Sequence, residues 1–354
     1  MIRALSPYYV ETNLVYGSAV TCEKFTLNVW VWNGDKNTPD STNSYQLTYK
    51  NTAERTDTQK INISPLVRDY MDFTQPNFLS AAEGTRVING NNQQWVYTFV
   101  TYDDDTVTWY NQSTQLMTLG YSYGNQGENY VAVDNDTLLA PGQYKASKSE
   151  VFVFPFKTKA NASNISIKSY PNYEISFNDT LSSTDDSAES VKYALVDLNQ
   201  VSSDTFVEIK WAGETTVLDI TDECKYDPIH MQFQNKDGAI QSFTFFKDSK
   251  ESMSVTSDQF QTNRGQAGSG YHQYVRFNVQ GRTKVSASSG YISESENEVI
   301  KQLLLSERVW IVENYTYTPI NINTSSMTFK TRQRERLINY DITFEMSYNE
   351  INNI

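Results

Sequence analysis

The chain has 354 residues, with 42 acidic against 29 basic side chains and a net charge of −13. This balance opposes binding along a nucleic-acid backbone, which needs clustered basic surface, and 38% hydrophobic with 20% charged residues excludes a disordered chain. No run approaches roughly 18 apolar residues, so no membrane-spanning helix is expected, and MIRALSPYYVETNL at the N-terminus lacks the apolar stretch of an export signal.

The length suggests two domains of roughly 150 residues. With 24 Tyr and 17 Phe the composition favours strands. The reading is a mainly β chain: two antiparallel β-sandwich or barrel-like domains with one or two short helices. In EKFTLNVWVW (23–32), Phe25, Leu27, Val29 and Val31 alternate with polar residues, the pattern of a half-buried strand. A polar loop (33–43) leads to a second strand, SYQLTYK. INISPLVRDYM predicts a short helix with Ser64 as N-cap, Pro65 in the first turn, and an apolar stripe of Leu66, Val67, Tyr70 and Met71. WVYTFVTYDDDTVTWY (95–110) predicts a hairpin turning at Asp103-Asp104-Asp105. VFVFPFK from Val151 is a further strand. LSSTDDSAES (181–190) is small, polar and acidic, and it places the boundary between an N-terminal β domain, 1–185, and a C-terminal β domain, 186–354.

Beyond it, TFVEIKW and ETTVLDIT predict strands joined at Ala212-Gly213. CKYDPIHMQFQNKDGAIQSFTFF (224–246) predicts a hairpin with one face to bury, carrying Ile229, Met231 and Phe233 on its first strand and Phe243 and Phe245 on its second. Asp237-Gly238 supplies the positive-φ turn. QTNRGQAGSGYH (261–272) reads as a mobile loop, and YHQYVRFNV from Tyr271 as a strand. SESENEVIKQLLLS predicts a helix near 294–305, opened by a Ser293/Glu296 capping box and buried through Val299, Ile300, Leu303 and Leu304. ERVWIV is then a strand. LINYDITFEMSY predicts a long two-faced last strand with Ile338, Tyr340, Ile342, Phe344, Met346 and Tyr348 on one side.

Chemistry-bearing residues are sparse. His230 and His272 have no Cys or carboxylate at zinc-ligand spacing, and both read as structural or surface groups. Cys22 and Cys224 read as isolated, mostly buried thiols. Cys224 near His230 lacks any motif for a thiol nucleophile pair. Asp103-Asp104-Asp105 and Asp134-Asn135-Asp136 offer calcium oxygens without EF-hand spacing, and read as solvated turns. A carboxylate pair for glycoside hydrolysis need meet only in space, and nothing in the sequence points to one. Phosphate-loop, dinucleotide, nucleophile-elbow and HExxH motifs are absent. No catalytic residue, cofactor or metal is expected. Two surface features remain. Lys330, Arg332, Arg334 and Arg336 fall at every second position of FKTRQRERL; they read as a solvated turn or as an inter-subunit docking point for acidic groups, such as a neighbouring copy's carboxylates. Trp109, Tyr121 and Tyr123, in or beside polar loops, suit stacking on sugars as well as subunit contacts. They carry the alternative reading of a carbohydrate-binding receptor-recognition or adhesin module.

Three segments also carry a resemblance: DECKYDPIHMQFQNKDGAIQSFTFF, ISESENEVIKQLLLSERVWIV and YTPININTSSMTFKTRQRERLINYDITFEMSY. In this order they supply a Cys-x-Tyr-x-Pro approach, an Asn-x-x-Gly hairpin, a Glu-rich helix ending in Leu-Leu-x-Ser, a Pro-containing strand and an alternating last strand. Together with FTLNVWVWNGD and INISPLVRDYM, this pattern resembles virion proteins of tailed bacteriophages, crAss-like phages and flavobacterial relatives in particular. The resemblance spans most of the chain. It implies a non-enzymatic tail component, a hub, ring or baseplate-like subunit made in the host cytoplasm. Such a subunit forms cyclic oligomers of its own copies around a channel, beside other tail proteins. No catalytic residues come with it.

Overall fold

The computed structural model describes residues 2–13, 15–16, 20–21, 24–33, 44–50, 58–71, 78, 84–90, 93–103, 108–111, 115–119, 122–124, 136–139, 143–158, 163–181, 190–262, 270, 272–313, 316–329 and 338–350. Of the described residues 61% are in strands and 9% are helical, and the sheets are antiparallel. Two compact units emerge, and neither is one continuous stretch of chain. The first comprises Met1–Pro141, Val151–Val217 and Gln234–Gln241, and the second Gly142–Glu150, Leu218–Phe233 and Ser242–Ile354. The segment 181–190, read as a domain boundary, joins two strands of the first unit, Ser176–Leu181 and Ser190–Asp197. Its residues 182–189 lie outside the described residues.

In the first unit, Lys24–Asn33 lies between Ser44–Lys50 and Gln93–Asp103, as its alternation predicts. Its Phe25, Leu27, Val29 and Val31 are buried together with Ile2, Ile61, Ile63 and Val67. Each such side chain removed from water contributes about 1.5–3 kcal/mol. The predicted hairpin forms through Tyr102 opposite Trp109, and its residues 104–107 lie outside the described residues. Helix α1 spans Ser64–Tyr70, but Ser64 is its first helical residue and not its N-cap. The Ser64 hydroxyl donates to Ser6 O instead, while Asn62 Oδ1 accepts from the backbone N–H of both Ser64 and Tyr8 at 3.1 Å. Asn62 thus satisfies one of the free donors that open the helix and ties it to the segment at Tyr8. A second part of this unit is sandwich-like. Val151–Thr158 pairs with Ser190–Asp197, Ser163–Tyr170 pairs with Phe206–Trp211, and Phe156 packs on Trp211 with ring centroids 4.6 Å apart.

Two surface loops of this part are locked together. The Glu174 carboxylate accepts from the backbone N–H of Ser202, Ser203 and Asp204, and Asp204 in turn accepts from those of Asn172 and Glu174. The Ser202 hydroxyl and the Ser203 backbone N–H do most to hold the Glu174 carboxyl down at about 2.

The second unit is organised on a seven-stranded sheet in the order Ile240–Phe245, Ile229–Gln234, Val309–Glu313, Thr316–Ile322, Asp341–Met346, Tyr274–Ser288, Ser249–Gln261. Helix α2, Asn297–Leu305, follows a single 3₁₀ turn that holds the predicted capping box: Ser293 N donates to Glu296 Oε2 at 2.8 Å. Val299, Ile300 and Leu303 are buried as expected. The last strand is shorter than the alternation implies. Only Asp341–Met346 joins the sheet, while Ile338 is buried through a lone bridge to Ile292 and Tyr348 is exposed.

The hairpin 229–245 departs from expectation more sharply. The turn is as predicted, with Gly238 at φ +82°. Yet Gln232, Gln234, Gln241, Ser242 and Thr244 are buried alongside Met231, Phe233, Phe243 and Phe245, so the hairpin has no solvent face. Most of its buried polar groups are met by partners, while Gln234 Oε1 and Gln241 Nε2 are buried without one among the described residues. Tyr317 Oη donates to Gln232 Oε1 at 3.1 Å, Gln234 Nε2 donates to Gly238 O at 2.9 Å, and Asn235 Nδ2 donates to Leu138 O at 2.6 Å.

Candidate assembly surface

The strands Ser249–Gln261 and Tyr274–Ser288 form a long antiparallel ribbon at one edge of the second unit's sheet. Its stem is supported. Lys284–Ser288 pairs with Asp341–Glu345, and Glu350 N donates to Gly281 O at 2.8 Å. Past Gly281 no third strand among the described residues accompanies the ribbon, and Ser254–Gln261 continues for roughly 25 Å at the usual rise per residue. We call this distal part the arm. An isolated two-stranded ribbon is marginal in water.

The arm is apolar where water meets it. Among the described residues, five of the ten exposed large hydrophobics lie on these two strands: Met253, Val255, Phe260, Tyr274 and Phe277, each between 47% and 59% exposed. Their faces follow from register. Met253 and Val255 continue the face that carries buried Val285 and Phe344 in the stem. A bulge then intervenes, with Asn278 and Val279 opposite the single residue Ser257, and with Asn278 in the left-handed region at φ +50°. The extra residue shifts one strand by one position. Phe277 thereby joins the face of Phe260, and the two rings meet edge to face at 5.5 Å. Without the bulge, Phe277 would lie on the opposite face. The arm therefore shows one apolar patch on each side.

A shallow groove of about 290 Å³ lies at the arm's base, lined by Ser254, Thr256, Gln280, Arg282, Glu345 and Asn349. Arg282 Nη1 sits 3.4 Å from Glu345 Oε1, and its Nε donates to Asn349 Oδ1 at 2.9 Å. These bonds splint the base of the arm to the last strand and its tail.

The residues singled out from the sequence are placed as follows. Lys330, Arg332, Arg334 and Arg336 lie outside the described residues, as do Tyr121, Cys22, and Asp104, Asp105, Asp134 and Asn135 of the acidic runs. Trp109 is described only as part of the strand Thr108–Asn111. Tyr123 is half-buried, and its backbone N–H donates to Lys236 O at 2.9 Å. Among the described residues no group of three or more His, Cys, Asp or Glu is arranged to hold a metal ion. No helix among them is long and apolar enough to cross a membrane. Cys224 is a free, exposed thiol and not a buried one.

His230 does not engage Cys224. Its Nδ1 lies 3.0 Å from buried Glu150 Oε2 and 3.1 Å from Thr244 Oγ1, and its Nε2 lies 3.2 Å from Ser149 Oγ. This is the order of a carboxylate–imidazole–hydroxyl relay. The neighbouring turn, however, uses its own N–H groups: Ser149 N donates to Ser147 Oγ and Glu150 N to Ser147 O. Neither is aimed at a developing oxyanion, and the cluster ties the turn to the hairpin.

Comparison with protein-family models, with curated proteins and with solved structures returns no match. We therefore read function from the arm. The sequence alone gives the loop after residue 261 and the strand that follows it, but no strand over Ser249–Gln261. The available signal was the pair of short polar–apolar alternations on either side of a Gly-rich stretch, which together mark a hairpin.

Proposed function

We propose that this chain is a non-enzymatic structural subunit of a bacteriophage tail, a hub, ring or baseplate-like component that assembles with its own copies into a cyclic oligomer and contacts other tail proteins. The observation that carries this reading is the unsupported arm with apolar patches on both faces. Covering its five half-exposed side chains would yield about 1 kcal/mol each. Association costs an estimated 4–15 kcal/mol. A single arm contact is thus close to break-even, and repeated contacts around a closed ring suit it better than an isolated pair. The sequence pattern shared with tailed-phage virion proteins points the same way, and virion localisation follows from the reading.

The test is the mass of the purified chain by light scattering and native mass spectrometry, with imaging of any particle formed. Closed multimers of uniform copy number are expected. A chain that stays monomeric at high micromolar concentration, with arm amides exchanging freely, would refute the proposal.

A further inference from the structure

We propose that the arm docks head-to-tail on the acidic body of the next copy and does not pair with that copy's arm. The inference rests on the assembly reading above and names the partner surface. The free edge of Ser249–Gln261 would, on backbone grounds alone, accept a second identical strand. Charge decides against it. The arm, residues 254–281, carries two basic side chains (Arg264 and Arg276) against one acidic, Asp258. It is therefore +1 within a chain of −13, which leaves −14 on the remainder. Arm against arm opposes like charges. Arm against body joins opposite ones, and that arrangement also speeds encounter and selects the partner. The two faces agree with this, because an arm apolar on both sides fits into a cleft or between two surfaces, whereas edge pairing would cover neither face. A contact between different surfaces of identical copies is heterologous, and such contacts form rings when the rotation between copies closes.

The experiment uses the full chain and a short-arm copy in which residues 255–281 are replaced by Asn-Gly, a two-residue turn joining the paired Ser254 and Arg282. Circular dichroism confirms its fold. The short-arm copy is expected to self-associate at least a hundredfold more weakly than the full chain. Mixed with full chains, it is expected to enter their complexes and terminate them, because it still offers a body. The full-length double variant Phe260→Ser, Phe277→Ser is expected to lose at least tenfold in association. Raising sodium chloride from 50 to 500 mM is expected to weaken full-chain assembly at least tenfold. Short-arm copies that assemble as full chains do would overturn the arm's role while leaving the ring standing. Short-arm copies excluded from full-chain complexes would show arm–arm pairing and overturn the head-to-tail contact, as would assembly indifferent to salt. Full chains that remain monomeric would remove the ring reading and this proposal with it.

Discussion

The hairpin 229–245 and the ribbon 249–288 are neighbours in sequence and occupy opposite edges of one sheet order, yet their side chains have opposite fates. In the first, glutamines, a serine and a threonine are buried. In the second, Phe260, Phe277, Tyr274, Met253 and Val255 face water. Side-chain polarity alone predicts neither. The buried polar face is viable because Tyr317, Glu150 and Leu138 O meet it, and an unmet polar group there would cost about 1–3 kcal/mol. Among the described residues the exposed apolar faces have no partner of that kind. The first hairpin meets most of its buried polar groups within the fold, leaving Gln234 Oε1 and Gln241 Nε2 without a partner among the described residues, and the ribbon leaves five large apolar side chains at the surface.

Substitution should separate the two. Phe245→Ala, at a side chain fully buried in the first hairpin, is expected to lower subunit stability by about 3–5 kcal/mol in denaturant unfolding. Phe277→Ala, on the arm, is expected to lower it by at most about 1.5 kcal/mol, the worth of its edge-to-face contact with Phe260. Equal losses at both would break the comparison. Next in size, Glu150→Ala removes the acceptor of both His230 Nδ1 and the Thr244 hydroxyl. A loss of about 1–3 kcal/mol is expected in the same measurement, with no change in the association constant of the folded chain. Phe277→Leu is the narrowest test of the arm's ring pair. It keeps an apolar side chain opposite Asp258 and abolishes the edge-to-face contact with Phe260. With aromatic pairs worth about 0.5–1.5 kcal/mol, sedimentation should show association weakened by up to roughly tenfold while secondary structure is kept.

Glu174 provides an exposed site that, unlike the arm, is already satisfied. Its carboxyl is held near 2, below the ordinary 4.5, by the Ser202 hydroxyl first and then by the backbone N–H of Ser203. A depressed folded value means that the stabilisation is complete above the unfolded value and disappears as pH falls from about 4.5 toward 2. Unfolding midpoints should drop across that window, and Glu174→Gln should flatten the slope there. The smallest subunit effect is expected for Arg332→Ser, Arg334→Ser and Arg336→Ser combined: unchanged thermal unfolding, with assembly impaired when followed by light scattering. Normal assembly would remove these residues from the docking surface.

What was legible in the sequence follows the same division. Lys24–Asn33, Val151–Thr158 and the turns at Ala212-Gly213 and Gly238 were readable because burial imposes alternation and tight turns impose positive φ. Helix α2 was readable from its capping box and apolar stripe. The arm was not, because hydrophobic periodicity records the direction of a core, and SKESMSVTSDQFQ has none beside it. Its apolar residues stand at 253 and 255, then switch parity at 260. The second face of Ile240–Phe245 is hidden for the converse reason: its buried Ser242 and Thr244 look like a solvent face until their surroundings are known. The last strand was drawn too long because Ile338 and Tyr340 keep the alternation after the ladder has ended.

The threading of the backbone through its two units has a practical consequence for anyone dissecting the gene. A fragment starting at residue 186 would lack Gly142–Glu150, and with it the carboxylate that receives His230 and Thr244. Its complement, ending at 185, would be missing Ser190–Asp197, Phe206–Trp211 and the hairpin tip Gln234–Gln241. No single scissile point therefore yields two autonomous pieces, and deletion libraries of this chain should show survival only for trims at loops, never for bisected halves.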